Sequence, residues 1–144
     1  QMERLAHTLG LHEQVVFLGK VADVPQRLAK TQVFVLATHW EGMPLALVEA
    51  MAAGCACITS DAPGAREVLQ HQHDGLIVAH ANPAAVANAL EQLLTQPGYA
   101  AQPGTQARRT ALTRYCDVQM AQRYQALLDM PLLPATKSAT KPTP

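Results

Sequence analysis

Apolar runs of strand length alternate along this chain with stretches of helical spacing. Val15-Val16-Phe17-Leu18, closed by Gly19, and Val33-Phe34-Val35-Leu36-Ala37 are continuous apolar runs, the character of strands covered on both faces of a parallel sheet. The runs Ala56–Ser60 and Gly75–Val78 predict two more strands. Between them, Leu45, Val48, Met51 and Ala52 follow helical spacing and predict a helix over 44–53. Pro44 suits its first turn and Gly54 its end. Short helices are predicted over 24–30 and 63–69. A longer one follows Asn82 as N-cap and Pro83 at the first position, with Val86, Leu90, Leu93 and Leu94 as its apolar stripe.

At the ends the pattern weakens. Residues 1–10 read as the end of an amphipathic helix, with Leu5 and Leu9 apolar and Gly10 as cap. Residues 96–104, with two prolines and two glycines, read as a connection. Helical patterns then cover 105–115 and 117–129, with Asp117 as N-cap. Residues 131–144, rich in Pro, Thr, Ala and Lys without periodicity, read as a disordered tail. The alternation predicts an α/β fold, a parallel sheet with flanking helices and right-handed crossovers. The predicted organisation is one domain over 1–130 followed by the tail.

Composition narrows the class without naming it. With 144 residues the chain is long enough for a core, and its formal net charge of +0 gives no footprint for nucleic acid or an anionic membrane. No apolar run reaches the roughly 18 residues of a membrane span, and no signal peptide opens the chain. Three cysteines without framework spacing predict free thiols in a reducing compartment. The expected location is cytoplasmic. The opening residues, with neither an initiator methionine nor a helix start, read as a chain cut from something longer.

The chemistry concentrates between Thr38 and Asp61. Glu41 precedes the central helix and Glu49 sits in its second turn, eight positions later. The first N–H groups of a helix lack intrahelical partners and its dipole is positive there, so this end suits an anion. Gly42 lets a phosphate approach the backbone. Helical side chains lean toward the N-terminus, which turns Glu49 back toward the same place. A carboxylate tolerates a phosphate neighbour when it accepts hydrogen bonds, and sugar or ribose hydroxyls donate them. The residues themselves read as a site for a phosphorylated sugar, against the plainer reading of two solvated helix-end charges.

Other constellations point less far. Cys55 and Cys57 would share one face of an apolar strand, where a free thiol behaves as a small hydrophobe, and their spacing is not that of structural zinc. His71 and His73 read as exposed loop residues. His39 and Trp40 read either as lining the pocket or as buried under the sheet edge. Neither a G-x-G-x-x-G nor a G-x4-G-K-[ST] string occurs, so a dinucleotide or P-loop site has no residues to rest on.

The string Glu41-Gly42-Met43-Pro44-Leu45 through Glu49-Ala50-Met51-Ala52-Ala53-Gly54 resembles the E-x7-E motif of retaining GT-B glycosyltransferases of the group 1, or family 4, type. Ser60-Asp61-Ala62-Pro63-Gly64-Ala65-Arg66-Glu67-Val68 and Asp74-Gly75-Leu76-Ile77-Val78 resemble the family's segments downstream of that motif. The resemblance implies a Rossmann-like sheet, part of a GT-B C-terminal domain. It implies transfer of a hexosyl group from a UDP-, GDP- or ADP-linked donor to a glycan or lipid-linked acceptor, with retention. It also implies that the acceptor is bound by a missing N-terminal domain, and peripheral placement at the inner face of a membrane becomes possible through missing parts. By the same resemblance Glu41 is the catalytic residue beside the donor sugar, and Glu49 accepts from the ribose hydroxyls. The backbone of Gly42, Met43, Leu45 and Ala46 meets the diphosphate, and Gly19, Lys20 and Val21 form the turn near the base. No metal is implied, and no D-x-D string is present. The alternatives are another GT-B enzyme, such as a nucleotide-sugar epimerase or hydrolase, or a non-catalytic binding or scaffold domain. A strand order 3-2-1-4-5-6 would make residues 15–18 strand 3, expected to stand apart or to pair non-natively with the run at 33–37. It would also leave the isolated fragment inactive and marginally stable or aggregation-prone.

Overall fold

The computed structural model describes residues 1–130 apart from positions 97 and 99; the predicted tail at 131–144 lies outside the described residues. Three parallel strands, β1 (Val33–Leu36), β2 (Ala56–Ser60) and β3 (Leu76–Val78), pair in the order β1-β2-β3. Val33 lies against Ala56 and Leu36 against Thr59, while Ile58 lies against Leu76 and Ser60 against Val78. The helices are α1 (Met2–Thr8), α2 (Val24–Leu28), α3 (Leu45–Ala53), α4 (Pro63–Val68), α5 (Pro83–Thr95), α6 (Ala101–Arg114) and α7 (Asp117–Leu128). The α/β parallel sheet with flanking helices is the predicted class, and β2 at its centre has the predicted bounds.

Side-chain alternation along β2 divides the core. Cys57, with Cys55 just before the strand, packs with Leu47, Ala50, Met51 of α3 and Ala107, Ala111 of α6. Ala56 and Ile58 point the other way, into a cluster with Leu76 and with Ala89 and Leu93 of α5. Both faces of β2 are therefore roofed, and every residue from 56 to 60 is buried. The thiols of Cys55 and Cys57 are core groups, and burial pushes the Cys57 thiol far above its ordinary range, with repulsion from Cys55, once that thiol is ionised, and from Asp74 adding to that effect. Buried Asp74 accepts from the Gln70 N–H at 2.6 Å and from Thr110 Oγ1 at 2.9 Å, which ties the turn before β3 to α6.

Several expectations are corrected. Val15–Leu18 is not a strand: Val16 is 75% exposed and Phe17 47%, and the segment pairs with none of the three strands. Among the described residues it stands apart, and β1 is an edge of the sheet. The buried face of α3 is Leu47, Ala50 and Met51, whereas Leu45 is 64% exposed. The helix is apolar nearly all round, so spacing alone does not set which side faces the sheet. On α5, Ala89 and Leu93 are buried while Leu94 is exposed.

The predicted connection over 96–104 holds the start of α6, with Pro103 and Gly104 inside the helix. Pro103 is tolerated in the first turn, where its missing N–H has no intrahelical acceptor. Gly104 passes so close to α3 that a Cβ would lie 2.5 Å from the Gly54 carbonyl oxygen. Asp117 begins α7 rather than capping it, Cys116 being the N-cap residue. At α1 the cap residue is Leu9, and Gly10 follows it at φ +69° as the Leu11 N–H reaches the Ala6 carbonyl at 2.8 Å. Asn82 caps α5 as expected, its Oδ1 accepting from the Ala85 N–H at 3.0 Å.

Candidate functional site

The chain leaves β1 at the carboxyl edge of the sheet and makes a turn over 37–44 before α3. Ser60, the last residue of β2, holds the start of this turn twice. Its Oγ accepts from the Thr38 N–H at 2.8 Å and donates to the Thr38 carbonyl at 2.5 Å. Thr38 Oγ1 donates to the Trp40 carbonyl at 3.1 Å. Further along, the Glu41 carbonyl accepts from the Gly64 N–H of α4 at 3.2 Å. Pro44 is the N-cap residue of α3, which therefore begins one position after the predicted start, because the Pro44 ψ of 81° is not helical. The Leu45 N–H folds back on the Met43 carbonyl at 2.9 Å. No hydrogen bond among the described residues uses the N–H of Met43 or Ala46.

Glu41 is half-buried in this turn, and Glu49 is exposed in the second turn of α3. Neither carboxylate takes part in a hydrogen bond or ion pair among the described residues. Two uncommitted acceptors therefore flank a helix start with free donors, an arrangement that can hold a ligand carrying both an anionic group and hydroxyls. Gly42, Met43, Leu45 and Ala46 are all exposed at the same helix start. Met43 and Leu45 also line a groove of about 420 Å³ with Val48, Tyr115, Tyr124 and Leu127. Gly19, Lys20 and Val21 form the approach to α2, with Gly19 at φ +60°. No hydrogen bond or ion pair among the described residues joins that turn to Glu41 or Glu49.

Residues 1–110 match the family model described as glycosyl transferases group 1. The chain belongs to this family. Among curated relatives, it is 29% identical over 124 residues to the N-acetyl-alpha-D-glucosaminyl L-malate synthase of Bacillus anthracis, covering 86% of this chain and 32% of that protein. It is 31% identical over 115 residues to the N,N'-diacetylbacillosaminyl-diphospho-undecaprenol alpha-1,3-N-acetylgalactosaminyltransferase of Campylobacter jejuni, covering 80% of this chain and 30% of that one. Among solved structures, HepE of Anabaena in complex with UDP superimposes with a TM-score of 0.85 at 26% identity, over 88% of this chain and 35% of that one. The chain thus spans about a third of the length of the relatives it matches.

In this group 1 glycosyl transferase chain the sequence signal singled out the two glutamates but not the residues that hold the turn carrying Glu41. Ser60 and Gly64 stand inside the family string, yet an isolated serine and glycine carry no local signal of a tertiary contact. Also unforeseen is the pairing of His39 with His80. Their rings meet edge to face with centroids 4.5 Å apart, beside a cleft of about 360 Å³ lined by Thr38, Ser60, Asn82 and Val86. Of the two readings of this pair of positions, His39 lines a cleft, and Trp40 is 75% exposed rather than buried. At the same rim Arg66 pairs with Asp61. The hydrogen bonds from that guanidinium hold the Asp61 carboxyl below the usual carboxylate range. His71 and His73 are exposed as expected, and His71 Nδ1 accepts from the Ile77 N–H at 3.0 Å.

Proposed function

We propose that the natural protein transfers a hexosyl group from a nucleotide-sugar to a glycan or lipid-linked acceptor with retention at the anomeric carbon. The observation that carries this reading is the pair of uncommitted carboxylates, Glu41 and Glu49, flanking the start of α3 in a group 1 glycosyl transferase. The likeness to HepE, solved with UDP and with UDP-glucose, favours a UDP-linked donor over the GDP- and ADP-linked ones. The diphosphate would lie against the N–H groups at the start of α3, where negative charge develops as the glycosidic bond to phosphate breaks. Glu49 would accept from the ribose hydroxyls, and Glu41 would stand beside the sugar. Taking the phosphates on helix-end donors, the site would not require a metal ion. The turn Gly19-Lys20-Val21 would face the base.

Two substitutions in the full-length natural polypeptide test these roles. Glu49→Ala is expected to weaken UDP binding by about 1.5–3 kcal/mol, the range for hydrogen bonds to a charged group. Calorimetric titration with unchanged affinity would remove Glu49 from the ribose role. Glu41→Ala is expected to lower kcat with a modest change in KM. Turnover within about threefold of wild type, less than 1 kcal/mol, would make Glu41 a plain helix-end charge. Residues 1–144 alone are expected to form no glycosidic product in the same assay.

A further inference from the structure

We propose that Ser60 and Gly64 are positioning residues that clamp the Glu41 turn to the end of the sheet. The proposal rests on the reading of Glu41 as the group beside the transferred sugar. Ser60 grips the turn at its start. One hydroxyl satisfies both the N–H and the carbonyl of Thr38, at 2.8 and 2.5 Å. That hydroxyl is itself on a residue only 6% exposed, at the end of a strand buried along its whole length. Losing the hydroxyl takes from both backbone groups of Thr38 the one side chain that pairs them and leaves them at the wall of the adjoining cleft, no longer tied to the sheet end.

Gly64 grips the other end by contact. Its N–H donates to the Glu41 carbonyl at 3.2 Å. A Cβ at this position would lie 2.6 Å from the Glu41 oxygen and 2.8 Å from the Gly42 carbonyl carbon, and closer still to the Gly42 oxygen. These neighbours are backbone atoms and cannot swing aside as a side-chain tip would. Any residue but glycine must therefore push the Glu41–Gly42 turn away. Gly64 itself is anchored, since α4 buries Ala65 and Val68 and its Glu67 carbonyl accepts from Tyr115 Oη at 3.0 Å. Both grips come from one stretch of chain, Ser60 at the end of β2 and Gly64 in the first turn of α4. The Glu41 backbone is thus placed by the sheet end before any ligand arrives, which is what a charge acting on a reaction centre needs.

The test uses Ser60→Ala, Ser60→Thr, Gly64→Ala and, as control, Gly104→Ala in the full-length natural polypeptide. Gly104 is also in close contact, a Cβ there lying 2.5 Å from the Gly54 carbonyl oxygen, but it touches the opposite end of α3 from Glu41. Two readouts are taken: hydrogen exchange in peptides spanning 38–44 without ligand, and steady-state transfer from a UDP-hexose. Ser60→Ala and Gly64→Ala are expected to speed exchange over 38–44 by about tenfold or more. They are expected to lower kcat by about tenfold or more while the donor KM moves less than about threefold. Ser60→Thr keeps the hydroxyl, and its added methyl has the adjoining cleft to enter; it should restore both readouts. Gly104→Ala should change neither. Unaltered exchange over 38–44 in Ser60→Ala and Gly64→Ala overturns the clamp whatever the activity does. Faster exchange with undiminished kcat overturns its positioning role. If wild type transfers nothing, the glycosyl-transfer reading fails, and the exchange arm still decides the clamp. Should Gly64→Ala not fold, the Ser60→Ala and Ser60→Thr pair decides alone.

Discussion

Residues 15–18 and residues 56–60 look alike as strings, yet the first lies open on the surface and the second is the most enclosed part of the molecule. The run Val15-Val16-Phe17-Leu18 is the more apolar of the two. What it lacks is neighbours. A strand's N–H and C=O groups need partners on adjacent strands, and its side chains need a roof on each face. Residues 56–60 have β1 on one side, β3 on the other, α3 with α6 above and α5 below. Residues 15–18 have α2 after them and, among the described residues, no strand beside them; the Val15 N–H simply reaches back to the Leu11 carbonyl. Apolar character makes a strand possible, and lateral partners make it actual.

The contrast can be broken by substitution. The largest effect is expected at Ile58, which has no exposed surface and packs between β3 and α5. Ile58→Ala should cost about 2–5 kcal/mol of stability in urea unfolding, from lost transfer energy plus the cavity left behind. A loss below about 1 kcal/mol would mean that the sheet closes over the gap and that enclosure is looser than the packing implies.

A step down in size is Gly104→Ala, which probes the roof over the start of β2. The new Cβ would press on the Gly54 carbonyl at 2.5 Å and stand 3.5 Å from the Ala56 N. Overpacking of this kind should cost about 1–3 kcal/mol, read by thermal or urea unfolding. Wild-type stability in this variant would show that α6 shifts freely against α3.

Val16→Ala should sharpen the comparison from the other side. At 75% exposure this valine has little to lose, and the change in stability should stay within about 0.5 kcal/mol. A loss of about 2 kcal/mol would reveal a partner for residues 15–18 that the isolated chain does not display.

The smallest effect concerns the rim of β2, where Arg66 donates to Asp61. The folded-state carboxyl lies below its unfolded value, so the pair's contribution is present above the unfolded value and fades as pH falls through the folded one. Acid titration of wild type against Asp61→Asn should therefore show a difference at neutral pH that vanishes toward strongly acidic pH. The pair is solvent-exposed, which keeps the difference small. A difference that grew on acidification would reverse the assignment.

Much of the local chemistry was legible before any tertiary contact was known. Asn82-Pro83 announces the start of α5, Gly54 the end of α3, and the bounds of β2 come from its apolar run. These signals are local because a cap or a turn is decided within a few residues. The spacing of the two glutamates was legible too, Glu41 in the turn before α3 and Glu49 at the middle of its nine residues. Spacing could not tell which side of α3 meets the sheet. A helix apolar on nearly every side offers no stripe, and only α6 and β2 choose Leu47, Ala50 and Met51 over Leu45.

What only the tertiary structure decided has one physical cause: a contact between residues far apart in sequence leaves no periodic trace in either. Pro103 and Gly104 read as a break because their local preferences oppose a helix, but the first turn tolerates the proline and the close approach to Gly54 requires the glycine. Residues 15–18 read as a strand because apolarity is local, while the partners that would make them one are not. Ser60 and Gly64 lie 22 and 23 positions from the backbone they hold, Thr38 and Glu41. The sequence by itself determined the class of the fold, the end of α3 at Gly54 and the start of α5 at Asn82. The folded chain decided which apolar surfaces are enclosed, and where the backbone carrying Glu41 comes to rest.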